Sequence, residues 1–240
     1  MPPMTRIGMI TPSSNTCLEP LTYEILGDLK DVSAHFTRLS VTQISLGDQA
    51  KAAFDTDRLV TAAELLAQAG VDVIAWNGTS GSWLGPAQDS ELCAHITNTT
   101  GIRATTSTLA MFDAYKKLGV TRLSLVTPYT EDVVADIVDH YAQLGFEVVR
   151  EAHAGLTDNV EIGNLNPDKV GDLAVQASSD AAQAVSVVCT NISTGRLTEA
   201  LEDRVAMPLV DSVIATLWKC LDLSDTSRRP VPGWGRLMNT

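Results

Sequence analysis

The sequence predicts an α/β fold of two pseudo-symmetric lobes, each a parallel sheet flanked by helices, with the candidate site in the cleft between them. Two observations carry this prediction. Apolar runs of strand length alternate with helix-period segments along all 240 residues, the rhythm that produces parallel sheets with helices on both faces. The chain also repeats itself. RIGMITPSSNT (6–16) has a counterpart in RLSLVTPYTED (122–132), and VDVIAWNGTSGS (71–82) has one in AVSVVCTNIST (184–194). Placing Gly78 against Cys189 also sets Thr79 against Thr190 and Ser82 against Ser193. The separations are similar, 116 residues from Arg6 to Arg122 and 111 from Gly78 to Cys189. Residues 1–105 are therefore expected to form an N-terminal lobe and 106–211 a C-terminal lobe, with a C-terminal helix in 212–240 returning to complete the first.

The elements follow in order. RIGMI (6–10) is an apolar run of strand length, and CLEPLTYEILGDL (17–29) has a helical period. VSAHFTRLSV (32–41) is a strand. From Thr56 to Ala69 one helical face carries Leu59, Ala62, Ala63, Leu66 and Ala69, and Gly70 stops it. VDVIAWN (71–77) is the next strand, 87–97 a helix, IRATTS (102–107) a short strand and 107–118 a helix ended by Gly119. RLSLVTP (122–128) is a strand, 130–144 a helix ended by Gly145, and FEVVREA (146–152) a strand. A helix over 166–178, a strand AVSVVCT (184–190), a short helix over 195–203 and a strand MPLVDS (207–212) come next. A helix through Leu217 and a polar tail finish the chain.

Composition narrows the function classes. Net charge is −12, which argues against a nucleic-acid or anionic-membrane partner, since both need a basic footprint. A small anionic substrate stays open, because backbone N–H groups can hold a carboxylate inside an acidic protein. No apolar run approaches the roughly 20 residues of a bilayer span, and the start MPPMTRIGMITP lacks the form of a signal peptide, so a cytoplasmic location is expected. Cys17, Cys93, Cys189 and Cys220 show no metal spacing, and His35, His95, His140 and His153 form no HExxH-like set. No metal site is expected.

Three polar stretches sit where strands end, the place ligands of open parallel sheets occupy. TPSSNTCLEP (11–20) reads as helix capping, since Thr16 and Glu19 fit a capping box. It also reads as an anion site, since Ser13, Ser14 and Asn15 would line the loop beside a helix N-terminus. WNGTSGSWLGP (76–86) offers glycines through which backbone N–H groups approach a ligand, and consecutive N–H groups with the hydroxyls of Thr79, Ser80 and Ser82 would make an oxyanion hole. VVCTNIST (187–194) carries Cys189. A lone cysteine ending a buried strand is ordinarily filler. Just ahead of a helix start its pKa should instead be lowered and its thiolate accessible. The other three cysteines fall in helical stretches and read as core. Tyr129, after Pro128, is placed to donate to a carboxylate. In TDNVEIGNLNP (157–167), Asn159, Asn164 and Asn166 are either carboxylate contacts or turn residues, with Asn159 the foremost.

Together GMITPSSNTCLEP (8–20), NGTSGS (77–82), VTPY (126–129) and VVCTN (187–191) resemble the aspartate/glutamate racemase superfamily. Within it they are most similar to the maleate cis–trans isomerase and arylmalonate decarboxylase group. The resemblance implies two pseudo-symmetric lobes with the site between them, neither metal nor organic cofactor, a small dicarboxylate substrate and a homo-oligomer. Racemases and isomerases of that superfamily use a cysteine from each lobe. Here the second position is Cys189 and the first is Gly78, which departs from the two-cysteine pattern and resembles the decarboxylases. The resemblance then implies that Cys189 protonates one face of an enediolate. Thr79, Ser80, Tyr129 and the backbone at Thr190 would form the oxyanion hole, and Ser13, Asn15 and Asn159 would bind a carboxylate. The alternatives are a maleate cis–trans isomerase or related racemase-type isomerase, and a carboxylate-binding relative without catalysis.

Overall fold

The computed structural model describes residues 4–27, 29–41, 55–224 and 230–240. Asp28, at the end of the first expected helix, the first three residues and 225–229 of the expected tail lie outside these. Two four-stranded parallel sheets make the scaffold, in the orders β2-β1-β3-β4 and β6-β5-β7-β8. The first sheet is built from β1 (Thr5–Pro12), β2 (Val32–Leu39), β3 (Val73–Trp76) and β4 (Arg103–Thr106). The second uses β5 (Arg122–Thr127), β6 (Glu147–His153), β7 (Ala184–Val187) and β8 (Leu209–Asp211). The two sheets share one topology, so the repeat legible in the sequence is a repeat of structure. The central strands β1, β3, β5 and β7 are buried almost throughout, as strands covered on both faces must be.

Helices cover the sheets. They are α1 (Leu18–Leu26), α2 (Thr56–Ala67), α3 (Gly81–Leu84), α4 (Pro86–Thr100), α5 (Ser107–Leu118), α6 (Glu131–Gln143), α7 (Asn159–Gly163), α8 (Pro167–Ala177), α9 (Thr198–Val205) and α10 (Ser212–Leu223). The α2 face named from the sequence is the buried one, with Leu59, Ala62, Ala63 and Leu66 inside. α10 packs on α5 and on β3 and β4, and the Thr216 hydroxyl donates to Ser107 Oγ at 2.8 Å. Among the described residues no helix is long and apolar enough to cross a membrane.

Three local expectations need correction. The capping box of Thr16 and Glu19 does not form. Asn15 Oδ1 accepts the amides of Cys17 and Leu18 at 3.0 and 2.9 Å, and Glu19 pairs with Arg38 at 2.8 Å. The NGTSGS stretch is only partly loop, because Gly81–Leu84 winds into one helical turn before Gly85, at φ 102°, reverses the chain into α4. In 157–167, Asp158 caps α7 through the amides of Val160 and Glu161, and Asn166 caps α8. Asn166 is therefore a structural cap.

Candidate active site

The registers bring four strand ends to one level. Ile10 is paired with Trp76 across β1 and β3, and Val126 with Val187 across β5 and β7. The residues just beyond them line one small cavity: Asn15 after β1, Gly78, Thr79 and Ser80 after β3, Tyr129 after β5, and Cys189, Thr190 and Asn191 after β7, joined by Pro12, Val41, Trp83 and Asn159. Of the candidates from the sequence, Asn15, Gly78, Thr79, Ser80, Tyr129, Asn159, Cys189 and Thr190 are there, while Ser13, Ser14, Ser82, Asn164 and Asn166 are not: the Ser14 hydroxyl donates to the Val41 carbonyl, Asn164 ends α7 and Asn166 caps α8. The Ser13 hydroxyl is occupied with Val41, accepting from its N–H at 3.1 Å and donating to its carbonyl at 3.3 Å. The cavity is about 20 Å³, room for about one water, so substrate entry requires its walls to part.

The expected anion site at the start of α1 is filled by the protein itself. Asn15 Oδ1 takes the first amides, as above, and the Thr16 amide donates to Asn191 Oδ1 at 2.9 Å. The same asparagines tie the lobes together. Asn15 Nδ2 donates to Thr190 Oγ1 at 3.1 Å, and Thr190 Oγ1 donates to the Asn77 carbonyl at 2.9 Å. Asn191 Nδ2 donates to the Asn159 carbonyl at 2.6 Å, and Asn159 Nδ2 to Ser14 Oγ at 2.8 Å. The partners in these bonds lie up to 175 residues apart in sequence, so closing them fixes the spacing of the two lobes at the cavity.

Donors for a ligand remain in the glycine loop. The amides of Gly78, Thr79, Ser80 and Thr190 make no hydrogen bond to another described residue. The Tyr129 hydroxyl lies 3.0 Å from Thr79 Oγ1 and also bonds to the Cys189 thiol. Burial holds the Tyr129 phenol well above its ordinary pKa of 10, so it stays a neutral donor. Its ring meets Trp83 edge-on at 5.0 Å. None of the described lining residues is cationic, so anionic charge here would be met by neutral N–H and O–H groups.

Cys189 reverses its expectation. Its thiol is only 4% exposed, and desolvation lifts its pKa from 9.0 to about 12. The hydrogen bonds from Tyr129 and from the Asn191 amide at 3.3 Å oppose that rise without cancelling it. The predicted lowering relied on a helix beginning beside the thiol. The chain after Cys189 instead makes turns and a 3₁₀ segment, Gly195–Leu197, before α9 starts at Thr198, beyond the reach of its terminal partial charge. The group is a protonated acid at neutral pH.

Sequence reasoning missed two buried carboxylates that brace the site loops. Asp89 on α4 accepts from Thr106 Oγ1 at 2.5 Å and packs against Gly81, where a Cβ would fall 2.5 Å from its carboxyl carbon. Asp211 accepts from Thr194 Oγ1 and caps α10 through the amides of Val213 and Ile214. The two pairs are repeat equivalents with acid and hydroxyl exchanged, since Asp89 to Thr194 and Thr106 to Asp211 both span 105 residues (194 − 89 and 211 − 106). A single buried acid on a helix gives no pattern signal, so only comparison of the two lobes could have found it.

Asp89 gives a pH prediction. Desolvation raises its pKa from 3.8 to about 6, against the hydroxyls of Thr106 and Thr108. A raised carboxyl favours its protonated form, so this group's contribution to native stability is greatest below pH 4. That contribution falls by on the order of 3 kcal/mol as pH rises to about 6, taking about 1.4 kcal/mol per pKa unit. Asp89→Asn is expected to be the more stable protein at pH 8 and to lose that advantage by pH 4. Denaturant unfolding at both pH values checks this, and an unchanged gap would contradict it.

The family described as arylmalonate decarboxylase matches residues 7–238. An arylmalonate decarboxylase of Bordetella bronchiseptica is 26% identical over 201 residues, covering 82% of this chain and 84% of its own. A maleate isomerase of Geobacillus stearothermophilus is 24% identical over 247 residues, covering 98% and 97%. In fold, the chain superposes with a TM-score of 0.89 on a Nocardia farcinica maleate cis–trans isomerase mutant carrying a covalently bound succinylcysteine intermediate, at 23% identity over 98% of each chain.

Proposed function

The chain belongs to the arylmalonate decarboxylase family, and from that membership we propose that it decarboxylates a substituted malonate without a cofactor, Cys189 supplying the proton. One observation carries the reading: among the described residues the cavity holds one thiol, kept protonated by burial, beside backbone amides with no partner among those residues and a glycine in the first-lobe position. The substrate's reacting carboxylate would sit in this cavity. Its C–C bond breaks, CO2 leaves, and the bonding pair passes into the remaining carboxylate to give an enediolate. The Thr79, Ser80 and Thr190 amides and the Tyr129 hydroxyl stabilise that charge as it develops. The Cys189 S–H then delivers its proton to the α-carbon, and the thiolate recovers one from water. A thiol of raised pKa suffices, because an enediolate carbon is far more basic than a thiolate. Asn15 and Asn159 help orient the carboxylate that remains.

Maleate isomerisation is the second reading, favoured by the similarity to the Geobacillus stearothermophilus protein over nearly the whole chain. Covalent attack on an alkene requires a thiolate, and a buried thiol near 12 is poorly suited to supply one. Proton NMR in D2O separates the two readings with phenylmalonate, methylphenylmalonate and maleate as substrates. The proposal predicts CO2 loss with one deuterium at the α-carbon and a single enantiomer from the methylated substrate. Conversion of maleate to fumarate without decarboxylation would replace it by the isomerase. Line broadening without turnover across the panel would leave a carboxylate-binding protein.

A further inference from the structure

The backbone does not require glycine at position 78. Gly70, Gly85 and Gly101 are among the glycines with positive φ, and Gly78 is not. The obstacle is a side chain. A Cβ built on Gly78 would lie 2.3 Å from Cε2, 2.4 Å from Cζ2 and 2.5 Å from Nε1 of Trp76, where contacting carbons need about 3.5–4.0 Å. Trp76 ends β3, paired with Ile10 on one side and Thr106 on the other, and is 1% exposed. Its indole borders a void of about 30 Å³ shared with Leu59, Leu84, Asp89 and Leu92. That is room for about one water and far less than an indole fills, so the ring has nowhere to withdraw.

We infer that Trp76 is the specificity-determining residue that keeps the first-lobe position free of a side chain, and that the site works with a single thiol because this indole occupies the space a second one needs. The catalytic half of this inference rests on the proposed decarboxylase reading, while the packing half stands alone. A thiol introduced at Gly78 could protonate or deprotonate the second face of an enediolate only after Trp76 is reduced in size.

The test is a double-mutant cycle in melting temperature, followed by exchange kinetics. Considered by backbone alone, Gly78→Ala at a permitted φ should raise stability. The clash predicts the opposite sign, a melting temperature lower by about 3–10 °C. In a Trp76→Leu background the same change is expected to be neutral or stabilising. Equal losses in both backgrounds would overturn the steric assignment. Enantiopure 2-phenylpropionate in D2O then probes the second face. Gly78→Cys alone is expected to leave the α-hydrogen in place, and Gly78→Cys with Trp76→Leu to exchange it at least about a hundredfold faster, the lower end of what a positioned acid or base contributes. Rapid exchange in Gly78→Cys alone would overturn the inference outright. Melting-temperature coupling with no exchange in either cysteine variant would overturn its catalytic half. The wild type's decarboxylation of phenylmalonate is measured separately, so a failure of the proposed function shows itself independently of the packing result.

Discussion

Cys189→Ser is expected to lower kcat on a malonate substrate by about 10²–10⁴-fold, the usual contribution of a positioned general acid, while the fold survives. Serine keeps the geometry that cysteine uses. Its oxygen can accept from the Asn191 amide and the Tyr129 hydroxyl as the Cys189 sulfur does. What it loses is acidity, since an alcohol is a much weaker acid than a thiol. Cys189→Ala removes both and should be at least as slow. The pH profile adds a readout that a structural role would not move. With the thiol pushed up to about 12 by burial, kcat should stay flat from about pH 6 to pH 9, because a raised pKa keeps the proton on sulfur throughout. A rate that rises with pH through the ordinary thiol range would mean that the thiolate acts. Full activity in both variants would remove Cys189 from the mechanism.

The scaffold was legible because its signal is local. Alternating runs and glycine stops report the strand and helix periods directly, and the two loop repeats gave the shared topology of the sheets. The strand ends carrying Gly78, Thr79, Ser80, Tyr129 and Cys189 stand out by position, the family resemblance adds Thr190 and the shared oxyanion role, and these residues meet in one cavity. What stayed hidden depends on partners far away in sequence. The capping box of Thr16 and Glu19 was a sound local pattern, but Asn15 lies nearer the orphan amides and Arg38 draws Glu19 away. The bond between Asn15 and Thr190, the brace of Asp89 on Gly81 and the indole over Gly78 are products of packing, which no residue spacing encodes. The thiol's pKa was misjudged for the same reason. A strand end suggests a helix start, but desolvation by the closed lobes outweighs any helix terminus that far along the chain.

Tyr129→Phe is expected to reduce kcat by about 10²–10³-fold, the cost of one oxyanion donor, with KM changed little, because the bond matters most when charge has developed. The ring should stay in place, since its edge-on contact with Trp83 at 5.0 Å does not involve the hydroxyl. The product should remain a single enantiomer, because the face is set by Cys189. A sharper expectation comes from the chain of bonds through this hydroxyl. Thr79 Oγ1 lies 3.0 Å from it and the Cys189 thiol bonds it from the other side. Thr79→Val removes the neighbour that orients the phenol while leaving the loop amides free. If the three groups act as one unit, the Thr79→Val and Tyr129→Phe double variant should be little slower than Tyr129→Phe alone, as groups sharing one network are non-additive. Multiplying losses would instead mean that the two hydroxyls contact the substrate separately. In that case the bond between them belongs to the closed cavity and breaks when substrate parts its walls.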